Sequence, residues 1–321
     1  MKAAAGMRVS LLIVAASALA LGAAACAAPS AQHPPRTVVI SAADAKADAA
    51  SRADAGSTAS CNPKASSLAP AGLPQVTAGS FMAKIRARGY LIAGVDQSTY
   101  HFGFLNPLDG HIEGFDIDMI RAVAQAIFGN PDKVEYKAIS DAQRIPDILS
   151  GAVDIVAHTM TITCARLQQV DFSSVYFDAA QRVLVLKNSA AQSLADLNGQ
   201  KVCATTGSDS LAAIAAAKAI PVAVPYWTDC LVQLQQGQVA AVSTDDTILD
   251  GLEAQDPWTK VVGPRLTDEP YGLAISKQHP DLVRFVNAVL QQLRTDGQWV
   301  ASYAHWIGTP VPAPPPAQYA A

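Results

Sequence analysis

The sequence DAQRIPDILSGAVDIVAHTMTITCARLQQVDF fills residues 141–172 and predicts how the chain is organised. Its apolar residues predict a short helix, which Gly151 ends, and then a buried strand over residues 153–156. A polar elbow over residues 158–163 follows, and Arg166 lies just beyond it. Because ligands of open α/β sheets bind beyond the carboxyl ends of the strands, we expect this elbow to meet a small ligand.

The elbow has the chemistry of an anion-binding site. The hydroxyls of Thr159, Thr161 and Thr163 can donate hydrogen bonds, as can the neighbouring backbone N–H groups. Arg166 adds a planar fork of donors that fits a carboxylate. An arginine after a strand is more often an ordinary surface residue, so the elbow by itself leaves both interpretations open.

A second copy of the pattern favours the binding interpretation. A helix, a glycine, a strand and a polar residue follow each other again, marked by Leu234, Gly237, Val239, Val242 and Asp245. The first copy ends in hydroxyls and an arginine, whereas the second ends in a carboxylate. If the two ends face each other across a cleft, they suit a zwitterion.

Four segments together resemble the polar amino-acid-binding proteins of ABC uptake systems: GFDIDMIRAVAQAI, RIPDILSGAVDIV, TMTITCARLQQVDFSSVYF and AVSTDD. The resemblance covers residues 81–307. It implies an α/β protein with the two-lobed, periplasmic-binding-protein-like fold of type II, in which two mixed sheets are joined by a two-strand hinge. We place lobe 1 at residues 80–178 and 272–308, and lobe 2 at residues 179–271.

The resemblance also implies roles for individual residues of this chain. Arg166 corresponds to the arginine that binds the ligand α-carboxylate through two bonds, and Thr161 to its neighbouring hydroxyl. Thr159 corresponds to the backbone carbonyl position beside them. Asp245 corresponds to the carboxylate that binds the α-ammonium group, and Ser208 to the loop of the second lobe.

The ligand side chain is predicted from three further residues. Arg144 resembles the arginine of glutamate and aspartate binders, so it favours these ligands over asparagine or glutamine unless it is a surface residue. Asp96 follows a predicted strand over residues 91–95 and also occupies a ligand position. Tyr100 is the candidate aromatic wall, because Asp141 stands where some relatives have an aromatic ring.

Composition limits the function further. The chain has 321 residues, a net charge of −4 and no long basic run, which argues against nucleic-acid binding. We expect a monomer without cofactor, metal or catalytic residue that delivers its ligand to an ABC permease. A lipoprotein that signals to a membrane partner would use the same site, whereas an enzyme would need Asp245 or His158 as its acid or base.

The cysteines indicate an exported protein with disulfide bonds. Cys203 and Cys230 fall in the same predicted lobe, so we predict that they pair, which leaves Cys61 for Cys164. The sequence does not fix this pairing. A metal site is the alternative, but no C-x-x-C spacing supports it.

The ends of the chain predict an export signal, a flexible tether and a disordered tail. Residues 1–25 resemble a bacterial lipoprotein signal peptide, which predicts export and a lipid at Cys26 on the outer face of the cell membrane. Ala23 replaces the usual leucine, so cleavage by ordinary signal peptidase is the alternative. Composition predicts a flexible tether over residues 26–79 and a disordered tail over residues 309–321.

Overall fold

The computed structural model describes residues 38–39 and 61–320 of the chain. Its strands are β1 (Val38–Val39), β2 (Leu91–Val95), β3 (Ser98–Thr99), β4 (Gly103–Leu105), β5 (Ile112–Glu113), β6 (Val134–Ala138), β7 (Ile155–Ala157), β8 (Asp171–Phe172), β9 (Phe177–Ala179), β10 (Gln181–Leu186), β11 (Lys201–Thr205), β12 (Ile220–Val224), β13 (Ala241–Asp245), β14 (Thr259–Val262), β15 (Glu269–Tyr271) and β16 (Ala274–Ile275). Its α-helices are α1 (Phe81–Arg88), α2 (Phe115–Phe128), α3 (Arg144–Leu149), α4 (Cys164–Leu167), α5 (Ser210–Ala216), α6 (Trp227–Gln235), α7 (Asp246–Gln255), α8 (Pro280–Thr295) and α9 (Gln298–Trp306). Short 3-10 helices cover Pro63–Ala65, Asp141–Gln143 and Leu194–Leu197.

Lobe 1 is built on a mixed sheet with the order β6-β2-β7-β16-β8 among the described residues. Strand β2 pairs in parallel with β6 and β7, whereas β16 runs antiparallel to β7 and β8. Helices α2, α8 and α9 bury apolar side chains such as Ile120, Val286 and Trp299 in its core. Because β2 and β7 are parallel, the loops after them, including the elbow, leave from the same edge of the sheet.

Helix α2 shows how the local sequence sets this core. It follows Gly114, where φ is 135° and an added Cβ would lie 2.2 Å from the carbonyl oxygen of Phe102. It ends at Gly129, whose φ of 71° is left-handed. Between these glycines, apolar residues at helical spacing are buried, and so is Asp116.

Lobe 2 has its own mixed sheet, with the order β1-β12-β11-β13-β10-β14 among the described residues. Strand β11 pairs in parallel with β12 and β13, and β10 runs antiparallel to β13 and β14. A separate core that includes Val202, Val242 and Ile248 lies between this sheet and its helices. The parallel strands bring the ends of β11 and β13, and hence Asp245, to one edge.

Two strands connect the lobes. Strands β9 and β15 pair antiparallel, with Phe177 opposite Tyr271 and Ala179 opposite Glu269. Strand β9 leads into lobe 2 through β10, and β15 leads back into lobe 1 through β16. The predicted fold class, an α/β protein of two lobes with mixed sheets, is confirmed.

The two disulfide bonds have the predicted partners. Cys203–Cys230 joins β11 to α6 within lobe 2. Cys61–Cys164 ties the segment before α1 to the short helix α4. In that segment, Lys64 lies 3.3 Å from Asp178 and 2.7 Å from Asp268, so the segment also contacts both chain crossings of the hinge.

Parts of the expected tether and tail pack on lobe 1, which corrects the prediction. The Ser67 hydroxyl donates to the carbonyl of Phe172 at 2.7 Å and accepts from the amide of Asn287 at 2.7 Å. In the tail, the carbonyl of Pro315 accepts from Arg294 at 3.0 Å. These end segments form hydrogen bonds with polar groups of α8 that would otherwise be buried without a partner. This explains why the segments pack on lobe 1.

The predicted signal peptide, Cys26 and residues 40–60 lie outside the described residues. In the described part of the chain, no helix combines the length and apolar character that a membrane span requires.

Candidate functional site

The elbow after β7 has an uncommon backbone conformation. Thr159 has a φ of 42°, in the left-handed region that β-branched residues rarely adopt. Its N–H donates to the Asp116 carboxylate at 2.7 Å, and the Tyr176 hydroxyl donates to the other Asp116 oxygen at 2.6 Å. Burial raises the pKa of Asp116 to about 6, although both hydrogen bonds favour its charged form. This buried carboxyl therefore fixes the elbow from within lobe 1.

Arg166 is held by the short helix that follows the elbow. The Thr163 hydroxyl caps α4 by accepting the N–H of Arg166 at 3.2 Å. The side chain is 9% exposed, and its Nη1 donates to the carbonyl of Thr161 at 2.7 Å. From lobe 2, the Asp209 carboxylate lies 3.5 Å from Nη1 and the carbonyl of Gly207 accepts from Nη2 at 3.3 Å. The predicted anion-binding arginine therefore faces lobe 2.

Arg144, at the start of α3, is a buried residue and not a surface arginine. Its Nη1 lies 2.7 Å from the Asp141 carboxylate and donates to the carbonyl of His158 at 3.1 Å. Its Nε donates to the carbonyl of Asp141 at 3.1 Å and its Nη2 to that of Gly207 at 3.2 Å. Asp141 also accepts from the Thr205 hydroxyl at 2.6 Å. The charge of Arg144 is therefore balanced by a carboxylate of this chain.

Lobe 2 supplies the predicted acid at the end of β13. Asp245 is 4% exposed and accepts from the Tyr271 hydroxyl at 2.6 Å, which in turn lies 2.8 Å from the Thr247 hydroxyl. Burial raises the pKa of Asp245 well above its ordinary range, and the carboxylates of Glu269 and Asp209 raise it further. An acid destabilised in this way gains most from a cationic partner such as an ammonium group.

Glu269 adds a second buried acid on the hinge strand β15. Burial, reinforced by the charge of Asp209, raises the pKa of Glu269 to about 7. Hydrogen bonds from Thr267 and Thr161 and the charge of Arg166 act in the opposite direction. Among the described residues, no group of three or more His, Cys, Asp or Glu side chains is arranged to hold a metal ion.

These side chains meet in one narrow cleft between the lobes. Its lining residues are Asp141, Arg144, Thr159, Thr161, Arg166, Ser208, Asp209, Trp227, Thr244, Asp245 and Ile248. The structure therefore brings together six of the residues that the sequence singled out, namely Arg144, Thr159, Thr161, Arg166, Ser208 and Asp245. They come from both lobes, so a small ligand in the cleft would touch both.

Two glycines lie where the lobes touch beside the cleft. A Cβ on Gly207 would lie 2.8 Å from the Cα of Ala142, and one on Gly251 would lie 2.7 Å from the carbonyl oxygen of Tyr100. Because backbone atoms stand on the other side in both cases, this close approach requires the missing side chain. The two lobes are therefore in close contact beside the cleft.

Two predicted residues, Asp96 and Tyr100, are not among the residues that line the cleft. Asp96 accepts from the next two backbone N–H groups at 2.7 and 2.9 Å and from the Thr99 hydroxyl. Its carboxylate closes the turn after β2 and does not line the cleft. The Tyr100 ring instead packs edge-on against Phe104, with 4.8 Å between ring centroids.

The sequence-based prediction missed several residues of the site. Trp227, the first residue of α6, supplies the aromatic wall from lobe 2 in place of Tyr100. The available signal was its place just after the strand β12. Asp209 and Ile248, at the starts of α5 and α7, and Thr244, in β13, also line the cleft. Local sequence does not distinguish these positions from ordinary helix starts and strand residues.

Comparisons with known proteins agree with this geometry. Residues 91–309 match the bacterial extracellular solute-binding proteins, family 3. The ABC transporter glutamine-binding protein GlnH of Bacillus subtilis is 37% identical over 70% of this chain and 84% of its own length. The glutamate-binding protein GluB of Corynebacterium efficiens is 30% identical over 66% of this chain and 76% of its own length.

Solved structures share the fold as well. An ancestral arginine-binding protein bound to glutamine is 35% identical, has a TM-score of 0.65, and covers 69% of this chain and 99% of its own. The resemblance to polar amino-acid-binding proteins that the motifs indicated is confirmed. This chain belongs to the bacterial extracellular solute-binding proteins of family 3.

Proposed function

We propose that this protein binds a free polar amino acid outside the cytoplasm and delivers it to an ABC permease. The observation that carries the proposal is that Arg166 of lobe 1 and Asp245 of lobe 2 line one buried cleft. Arg166 binds the α-carboxylate together with Thr161, and Asp245 binds the α-ammonium group. The Thr159 backbone and Ser208 complete the shell around the ligand main chain.

A ligand held in this way favours the closed arrangement of the lobes. Its two charged groups contact opposite lobes, so their binding free energy is gained in full only when the lobes meet. The closed state then differs in shape from the open one, and a permease can distinguish the two.

The ligand side chain is the finer part of the proposal. Arg144 favoured glutamate or aspartate when only the sequence was considered. Because Asp141 already balances its charge at 2.7 Å, a second carboxylate is not required at this point. The relatives include proteins named for glutamine and for glutamate. We therefore propose glutamine and asparagine as ligands on equal terms with glutamate and aspartate.

Export, a lipid at Cys26 and a monomeric state complete the proposal, on the evidence of the sequence. An enzymatic activity is not proposed, because Asp245 has a binding role in this scheme and His158 packs in the elbow, where its Nε2 lies 2.9 Å from the carbonyl oxygen of Ile139.

The test is calorimetric titration of the chain without its signal peptide against the twenty amino acids. We expect dissociation constants in the micromolar range or lower for glutamate, aspartate, glutamine and asparagine, and much weaker binding of the others. Absence of binding heat with every amino acid would overturn the proposed function.

A further inference from the structure

Two polar atoms in the cleft are not explained by binding of an amino-acid main chain. The indole nitrogen of Trp227 and the hydroxyl oxygen of Thr159 are buried and have no hydrogen-bond partner among the described residues. Trp227 is 2% exposed and Thr159 3% exposed, and both residues line the cleft. One residue belongs to lobe 2 and the other to the elbow of lobe 1.

Such atoms are uncommon in folded proteins. Most buried polar groups have a partner, because a buried donor without one costs about 1–3 kcal/mol. Two of them on opposite walls of a single cleft indicate a ligand group that satisfies both. The indole N–H can only donate a hydrogen bond, so the ligand atom beside it is an acceptor.

The guanidinium of Arg144 points to the same chemistry. It has five N–H donors, and the carbonyls of Asp141, His158 and Gly207 and the carboxylate of Asp141 engage four of them. A guanidinium has no acceptor atom, so its remaining N–H can only donate to a ligand. The cleft therefore offers donors to the ligand side chain.

We propose that Trp227 and Thr159 form the subsite that selects amino acids whose side chain carries a hydrogen-bond acceptor, such as a carboxylate or amide oxygen. This inference rests on the proposed function and assigns its specificity. It disfavours a cationic side chain beside Trp227, because arginine and lysine carry only donors and the indole offers only a donor.

The test uses Trp227→Phe, which keeps an aromatic ring and removes the N–H. Calorimetry compares glutamine and glutamate with norvaline, an amino acid of similar chain length without the side-chain oxygen. We expect glutamine and glutamate to bind about 5- to 30-fold more weakly and norvaline to change less than about twofold. Trp258→Phe is the matched control, because Trp258 is 74% exposed and lies in the same lobe.

A second variant, Thr159→Val, keeps the shape of the side chain and removes the hydroxyl from the opposite wall. It should weaken glutamine binding about 3- to 10-fold with norvaline unchanged, and it tests the inference if Trp227→Phe fails to fold. Unchanged glutamine affinity in the folded variants, or an equal loss for norvaline, would overturn the subsite while leaving the proposed function intact. A wild-type protein that binds no amino acid would overturn both.

Discussion

The two walls of the cleft carry opposite charge and are stabilised in different ways. On the lobe 1 wall, Arg144 and Arg166 are buried and hydrogen-bonded to carbonyl groups of the elbow. On the lobe 2 wall, Asp209 and Asp245 are acids, and Glu269 lies close to both on the hinge. The pKa of Asp245 and that of Glu269 are raised mainly by burial.

This difference gives the ligand its direction. A zwitterion with its carboxylate towards lobe 1 and its ammonium group towards lobe 2 compensates both walls, and the reverse orientation compensates neither. The lobe 1 wall is preorganised by its own hydrogen bonds, so it can receive the ligand first. The acids of the lobe 2 wall are destabilised by burial, so this wall gains the most binding free energy when the lobes close on an ammonium group.

The largest expected effect on binding comes from removing the Arg166 cation from the lobe 1 wall. We expect Arg166→Ala to weaken amino-acid binding by about 3–5 kcal/mol, more than a hundredfold, because a carboxylate is then buried without its partner. Calorimetry measures this loss. Arg121→Ala is the control, since Arg121 is a partly exposed residue of lobe 1 paired with Asp132 at 2.6 Å. A loss of less than about tenfold relative to the wild type would contradict the assignment of the carboxylate end.

The corresponding change in lobe 2 should separate affinity from stability. Asp245→Asn keeps an acceptor for the Tyr271 hydroxyl but removes the charge, so we expect binding to weaken by about 2–3 kcal/mol. The ligand-free protein should be as stable as the wild type or more so, because burial opposes the Asp245 anion. Calorimetry and thermal unfolding measure the two effects, with Asp250→Asn as control. A clear loss of stability would show that the Asp245 anion supports the fold.

Glu269, the buried acid on the hinge strand β15, predicts that the stability of the protein depends on pH. The folded state raises the pKa of Glu269 from 4.5 to about 7, so between these values the folded protein holds a proton that the unfolded chain releases. The stability that this group contributes is fully present below about pH 4.5 and is lost as the pH rises through 7. Glu269→Gln should remove this loss, on the order of 3 kcal/mol.

Urea unfolding of both proteins between pH 4 and pH 8 measures this difference. The two free energies of unfolding should diverge as the pH rises, with the variant the more stable at neutral pH. Curves that stay parallel over the whole range would contradict the raised pKa.

The smallest expected effect concerns the contact between the walls. Gly251 lies in α7, and an added Cβ would come within 2.7 Å of the Tyr100 carbonyl oxygen of lobe 1. Gly251→Ala should therefore weaken ligand binding about tenfold by opposing closure, while stabilising the ligand-free protein by about 0.5–1 kcal/mol through the better helix former. Calorimetry and thermal unfolding check these opposite signs, and tighter binding would contradict closure at this point.

Local pattern predicts much of the fold. Strand β2 has the predicted bounds. Apolar spacing over residues 116–128 predicts helix α2, which starts one residue earlier, because apolar spacing and flanking glycines are local signals. The sequence of residues 261–268 predicts an irregular segment, yet β14 reaches Val262. That edge strand exists because β10 offers it hydrogen bonds, and this partner is distant in sequence. The packed tail, with Ala320 bonded to Ser67, was missed for the same reason.

The sequence by itself determined which chemical groups stand at the strand ends, since position after a strand is a local property. It therefore identified Arg166 and Asp245. Only the tertiary structure decided which of these groups face a ligand. Asp96 and Asp245 both follow a strand, but the Asp96 carboxylate is taken up by its own turn, whereas Asp245 meets Tyr271 and the cleft. The donors to Asp96 are its own neighbours in sequence, whereas the Tyr271 hydroxyl that meets Asp245 comes from a strand 26 residues away, and a local pattern cannot contain that partner.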